Sequence, residues 1–190
     1  MNGGRYALLI GNSTYSDPVL HKLRSPAQDV RGLKAVLEDP QIGQFNVTLL
    51  EDRSESEIRR ALDVFFSKRS PDDFLLFYFS GHGAKDAPGR FYLTAVDTHT
   101  QYLRSTGISA SFIHDVTQGS RARQKIMLLD ACCAGAIVRG MTHRAGNRIT
   151  REQIAGYKSG LAILTATDSE AYAFEGDQLS GESEPSVWTK

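Results

Sequence analysis

The chain has 190 residues, 41% of them apolar, enough for one compact domain with a buried core and too few for two comfortable ones. Basic and acidic residues balance at 22 each, which excludes an overall field drawing the protein to nucleic acid or to an anionic membrane, so any charge selectivity must be local. The longest uninterrupted apolar run, Phe74 to Phe79, falls far below the ~20 residues that cross a bilayer, and the amino terminus lacks the h-region and cleavage site of a secretory signal.

Tyr6 to Ile10 (YALLI) is continuously apolar and closes on Gly11-Asn12, as a strand buried on both faces does before a turn. From Asp29 onward Val30, Leu33, Val36 and Leu37 recur at helical spacing, and Pro40 marks the stop. Val47 to Leu50 reads as a second strand. Ser54 and Glu57 form a capping-box pattern ahead of Ile58, Ala61, Leu62, Phe65 and Phe66, which share one helical face. Pro71-Asp72-Asp73 then breaks the chain before FLLFYFS, residues 74 to 80, whose aromatic richness predicts a central strand. Phe91 to Val96 is expected to be a strand, Ser109 to Val116 a helix, Lys125 to Asp130 (KIMLLD) a buried strand, and Leu161 to Thr165 the last strand. Apolar strands alternating with amphipathic helices predict an α/β domain over 1–190 whose sheet is mostly parallel and covered on both faces.

The two cysteines, Cys132 and Cys133, are adjacent in sequence, where a disulfide would be strained and would close no useful loop; a reducing compartment, the cytoplasm, follows as the expectation. In parallel sheets functional groups gather beyond the carboxyl ends of the strands. Two unusual loops fall there: Ser80-Gly81-His82-Gly83 after the Phe74 strand, and Ala131-Cys132-Cys133-Ala134-Gly135 after the Lys125 strand. If the two strands are neighbours, imidazole and thiol face each other across a shallow cleft. A free thiol with a pKa of about 8.5 is then converted to a nucleophilic thiolate. Gly81 and Gly83 flank His82 and let the backbone approach a substrate, leaving an N–H for a developing oxyanion.

SGHG followed by DACCAG, with His82 and Cys132 50 residues apart, resembles the caspase superfamily, and within it the metacaspases and their bacterial relatives. ALLIGNSTY, the PAQD segment, ILTAT and EAYAFE extend the resemblance over nearly the whole chain. It implies the caspase-like fold and peptide-bond hydrolysis through a thioester acyl-enzyme, with Cys132 as nucleophile and His82 as base. It further implies the backbone N–H groups of Gly83 and Cys132 as oxyanion hole, and a backbone carbonyl, in place of a third side chain, to orient His82. Caspases that cut after aspartate carry a glutamine two residues before the nucleophile; here that position is Asp130. Asp29 in PAQD falls where metacaspases place the other acid of the substrate pocket, and Ser80 matches a third pocket residue. Two carboxylates in one slot repel each other unless a cation enters, which predicts cleavage after arginine or lysine.

Each of these residues also has a plainer reading. Cys132 could be a core filler, His82 a loop-capping histidine, Asp130 a partner for backbone N–H groups at a strand end, and Asp29 a helix N-cap. A zinc site from Cys132, Cys133 and His82 lacks ligand spacing and a fourth ligand, so no metal and no cofactor are expected. His21, His99, His114 and His143 are scattered singly and default to solvent, and Arg139, Arg144, Arg148 and Arg151 to a solvated loop that could itself be cleaved.

Where calcium-activated metacaspases carry four acids, this chain retains Asp97 but has Ala110, Ser111 and Arg139, which predicts calcium-independent activity. The family fold continues with a further strand and helix beyond Ser186-Val187-Trp188-Thr189-Lys190, so 1–190 reads as a large-subunit-like portion, truncated or left by processing after Lys190. The expected function is a cytoplasmic endopeptidase, an effector in bacterial signalling or defence. Its expected partners are basic protein or peptide substrates and a regulatory or fused domain, without nucleic acid or membrane. The alternative is a catalytically silent scaffold of the same fold that binds peptides.

Overall fold

The structure, a computed structural model, describes residues 3–131 and 160–165. Among these, a five-stranded sheet has the order β2-β1-β3-β7-β8, built from β1 (Arg5–Gly11), β2 (Asn46–Glu51), β3 (Phe74–Ser80), β7 (Gln124–Asp130) and β8 (Leu161–Thr165). Every pairing in it is parallel. FLLFYFS lies at the centre, as its composition predicts, with Leu75 to Ser80 all buried. Side chains alternate between two cores. Leu8, Ile10, Leu75, Phe77, Phe79, Met127 and Leu129 face one side. Ala7, Leu9, Leu76 and Tyr78 face the other.

Helices cover both faces. α1 (Pro26–Glu38) packs Val30 and Leu37 against the second core, whereas α2 (Glu55–Ser67) and α4 (Ala110–Gly119) bring Ile58, Leu62, Phe65, Phe66 and Ile113 to the first. The capping box at α2 forms in full: Ser54 Oγ accepts from the Glu57 amide, and the Glu57 carboxylate accepts from the Ser54 amide. α1 begins three residues before Asp29, because Ser25 is its N-cap and Pro26, with no N–H to leave orphaned, opens the first turn. Val36 departs from the expected apolar stripe and is 48% exposed, since the helical repeat carries it about 100° round from Leu37.

Phe91 to Val96 does not join the main sheet. Only β5 (Phe91–Leu93) is strand, the middle of a small antiparallel sheet with β4 (Gly83–Lys85) and β6 (Ile108–Ser109). Beyond Leu93 the backbone is committed elsewhere: Thr94 O accepts from Asn12 Nδ2, Val96 N–H donates to Arg53 O, and Val96 O accepts from Ser16 N–H. A short 3₁₀ turn (Thr100–Tyr102) and α3 (Leu103–Thr106) lead into β6. No helix among the described residues is long and apolar enough to cross a membrane.

Candidate active site

β3 and β7 are neighbours, and their register pairs Ser80 with Asp130 as it pairs Ser80 with Gly11 on the other side. Gly11, Ser80 and Asp130 thus form the last rung of the sheet. Paired residues of parallel strands point to the same face. Alternation from Leu76 and Tyr78, and from the partly buried Leu128, puts Ser80 and Asp130 on the face covered by α1. Asp29 projects from the first turn of α1 toward this rung: it is 1% exposed, and Ser80 Oγ donates to its Oδ2 at 3.3 Å. The three residues expected to form the pocket therefore lie on one side of one sheet edge, with Asp130 half-buried. The N-cap reading of Asp29 is excluded, because Ser25 holds that position and its carbonyl accepts from the Asp29 amide at 2.9 Å.

The chain turns out of the sheet at Gly81, whose N–H donates to Asp130 O at 3.2 Å and so ties the histidine loop to the end of β7. A Cβ at Gly81 would lie 3.0 Å from both Tyr15 Oη and the Phe79 ring, a crowding only glycine avoids. His82 is half-buried and held on three sides. Its main-chain N–H donates to Tyr15 Oη at 3.0 Å, its ring packs 4.9 Å from the Tyr15 ring at 48°, and its Nε2 is 2.8 Å from the carbonyl oxygen of His21. A carbonyl can only accept, so Nε2 carries a proton and, in the neutral ring, Nδ1 carries the lone pair. The orienting group is thus a backbone carbonyl, as the resemblance implies.

Gly83 is not in a loop but opens β4. His82 O accepts from Thr94 N–H at 3.1 Å and Asp86 N–H donates to Arg90 O at 3.0 Å, so residues 82, 84 and 86 carry the ladder bonds. In an antiparallel pair these alternate, and the Gly83 N–H therefore points away from β5. Cys132, its backbone N–H and Cys133 lie outside the described residues. So do the EAYAFE segment, the arginines from 139 to 151, His143, and the carboxyl-terminal residues 186–190.

Several residues that build the site were assigned no role from sequence, although Asn12 to Tyr15 lie within the ALLIGNSTY stretch that carries the resemblance. The segment after β1, residues 12–24, cradles His82. Asn12, fully buried, bonds Ser80 O through its amide, Thr94 O through Nδ2 at 2.9 Å, and the Arg53 amide through Oδ1 at 3.3 Å. Tyr15 Oη donates to Asn12 O at 2.7 Å, and Asp52 Oδ1 accepts from the amides of Ser13 and Thr14. Asp17 accepts from Val19 N–H, Thr100 N–H and Thr100 Oγ1, and these contacts, the Thr100 hydroxyl foremost, lower its pKa to about 2. His21 has the exposed side chain expected of it, but its carbonyl serves the site. His114 departs from the expected solvent-facing default, since its Nδ1 is buried on α4. Asp97 is used locally, its Oδ1 accepting from the Glu55 amide at the start of α2 at 2.7 Å.

A parallel sheet whose central strands deliver a histidine turn and the Asp130 end of β7 to one edge has the caspase-like architecture. The sequence profile of the caspase domain family matches residues 4–189, and the chain belongs to that family of cysteine peptidases. Over 128 residues, 67% of this chain, it is 30% identical to mucosa-associated lymphoid tissue lymphoma translocation protein 1 of Homo sapiens and to its homolog in Mus musculus. The matched stretch is 15% of each, so this chain spans a small part of their length. Among solved structures, caspase-1 from Spodoptera frugiperda superposes with a TM-score of 0.58 at 16% identity, over 92% of this chain and 64% of that one. Protein GSU0716 from Geobacter sulfurreducens superposes with a TM-score of 0.56 at 17% identity, over 72% of this chain and 53% of that one. At such identities the likeness establishes the fold.

Proposed function

We propose that the protein is an endopeptidase that cleaves after arginine or lysine, with Cys132 as nucleophile and His82 as base. The observation that carries this reading is the rung Ser80–Asp130 with Asp29 behind it: an acidic slot two residues before both the histidine and the cysteine. His82 Nδ1 takes the proton of the Cys132 thiol as Sγ attacks the scissile carbonyl carbon, and the oxyanion is received by the N–H groups of Gly83 and Cys132. Collapse returns the proton to the leaving amine and leaves a thioester, which water hydrolyses with the same imidazole as base. The His21 carbonyl supports this assignment, since by occupying Nε2–H it leaves Nδ1 as the basic nitrogen.

Asp29 and Asp130 select the cation. Arginine offers them a planar fork of donors, and lysine a point charge that fits with less directionality. Turnover is calcium-independent: Asp97 is engaged by the α2 amide, and the positions that would supplement it are Ala110, Ser111 and Arg139. The resemblance to bacterial caspase-like modules and the adjacent cysteines support a cytoplasmic effector acting on protein substrates, controlled by a regulatory or fused domain. Fluorogenic arginyl, lysyl and aspartyl peptides, with Cys132→Ala as control and with chelator or added calcium, test the reading. Arginyl and lysyl turnover that is lost in Cys132→Ala and indifferent to calcium is expected. Aspartyl preference, a calcium requirement, or turnover surviving in Cys132→Ala would overturn the corresponding assignment.

A further inference from the structure

The Nε2 edge of His82 is held by a carbonyl on a surface segment, so whatever holds that segment helps to hold the imidazole. His21 directly follows a turn over residues 17–20, closed by Leu20 N–H donating to Asp17 O at 3.0 Å and by Val19 N–H donating to Asp17 Oδ1 at 3.0 Å. The other oxygen of the same carboxylate leaves the turn. Asp17 Oδ2 accepts from both Thr100 N–H and Thr100 Oγ1 at 2.7 Å, and His99 Nδ1 lies 3.7 Å away. Thr100 belongs to a segment fixed independently, through Thr98 Oγ1 donating to Thr106 O and the Thr106 side chain bonding His99. The Asp17 side chain is only 5% exposed, so these bonds do not compete freely with water.

We infer that Asp17 is a positioning residue for the histidine: its carboxylate clamps the turn that presents the His21 carbonyl to His82 Nε2 onto the His99–Thr100 segment. This rests on the reading of His82 as the base. The clamp acts at a distance from substrate, so its loss misdirects the imidazole and leaves the acidic slot of Asp29, Ser80 and Asp130 in place. With a carboxyl group that titrates at about 2, the clamp stays charged at every pH at which a peptidase of this kind works.

The test compares the 190-residue chain with Asp17→Ala and Thr100→Val by two readouts: steady-state turnover of an arginyl peptide, and the Nε2–H resonance of His82 in nitrogen-15-labelled protein. A slowly exchanging, hydrogen-bonded Nε2–H is expected in the wild type. In folded Asp17→Ala that signal is lost to solvent exchange and kcat falls about 100-fold, with KM within about twofold. Thr100→Val, which keeps the Thr100 amide, should show about a tenfold fall and a weakened signal, and it decides the matter where Asp17→Ala does not fold. A wild-type Nε2–H signal in either folded variant, or a loss carried by KM alone, overturns the inference. If the wild type cleaves no peptide, the fault lies with the protease reading, and the Nε2–H signal still decides whether Asp17 holds the imidazole.

Discussion

Asp29→Asn separates substrate recognition from folding. Asparagine keeps the size of the side chain and an oxygen to accept from Ser80 Oγ, but it removes the charge at a position that is 1% exposed. At such a site solvent and salt screen little, so the full charge-assisted bond to a substrate guanidinium is at stake. Truncating one side of a buried charge pair costs about 2–5 kcal/mol, a fall of about 30-fold to about 4,000-fold in kcat/KM for an arginyl peptide. The fold should lose nothing comparable, because taking a charge out of a buried acidic slot lowers a desolvation cost, and Tm should stay within about 3 °C. The assay is kcat/KM on matched arginyl and citrullinyl peptides, near-isosteres in which a charged terminal N–H donor is replaced by a neutral carbonyl acceptor; the variant should lose much of the discrimination between them. Asp130→Asn should lose less, about tenfold, because Asp130 is only half-buried and its charge is better screened. Unchanged arginyl turnover in folded Asp29→Asn, or equal losses on both peptides, would refute the reasoning.

Other perturbations read other parts of the site. Tyr15→Phe deprives the His82 amide of its acceptor and Asn12 O of its donor, and should lower Tm by about 3–6 °C with a fall in kcat; wild-type values of both would show that the hydroxyl is dispensable. Asp17, with its pKa lowered from 3.8 to about 2, binds fewer protons in the folded chain than in the unfolded one. Its stabilising contribution is therefore complete above the unfolded value and disappears as pH falls through about 2. Urea midpoints from pH 5 to pH 2 should fall more steeply for the wild type than for Asp17→Asn, and parallel curves would contradict this. Gly32, exposed on α1, would place a new Cβ against nothing within 4 Å, so Gly32→Ala should stabilise the helix by about 0.5–1 kcal/mol with turnover unchanged, as thermal melts would report.

The strands of the main sheet were legible because each is a run of apolar or aromatic residues bounded by turn chemistry, and FLLFYFS declared its central place through aromatic content alone. α2 was legible down to its cap, since Ser54 and Glu57 satisfy each other without help from the rest of the fold. β4 was not, because Gly83-Ala84-Lys85 has neither β-branching nor alternation and becomes strand only through its pairing with β5. Main-chain contributions were equally silent: nothing about His21 as a side chain points to its carbonyl, and Asp17 is one acid among many until the turn and Thr100 close around it. The residues proposed for the acidic slot were nominated through resemblance, whereas their placement came from register, which sets Ser80 opposite Asp130 and turns both toward α1.

Labelling with a peptidyl-arginine chloromethyl ketone, followed by intact-mass measurement and peptide mapping, probes the pairing of sulfur, imidazole and acidic slot in a single step. One adduct on Cys132 is predicted, absent in Cys132→Ala, strongly slowed in His82→Ala, and not formed by the aspartyl analogue. An adduct on another residue, or equal labelling by the aspartyl reagent, would contradict it.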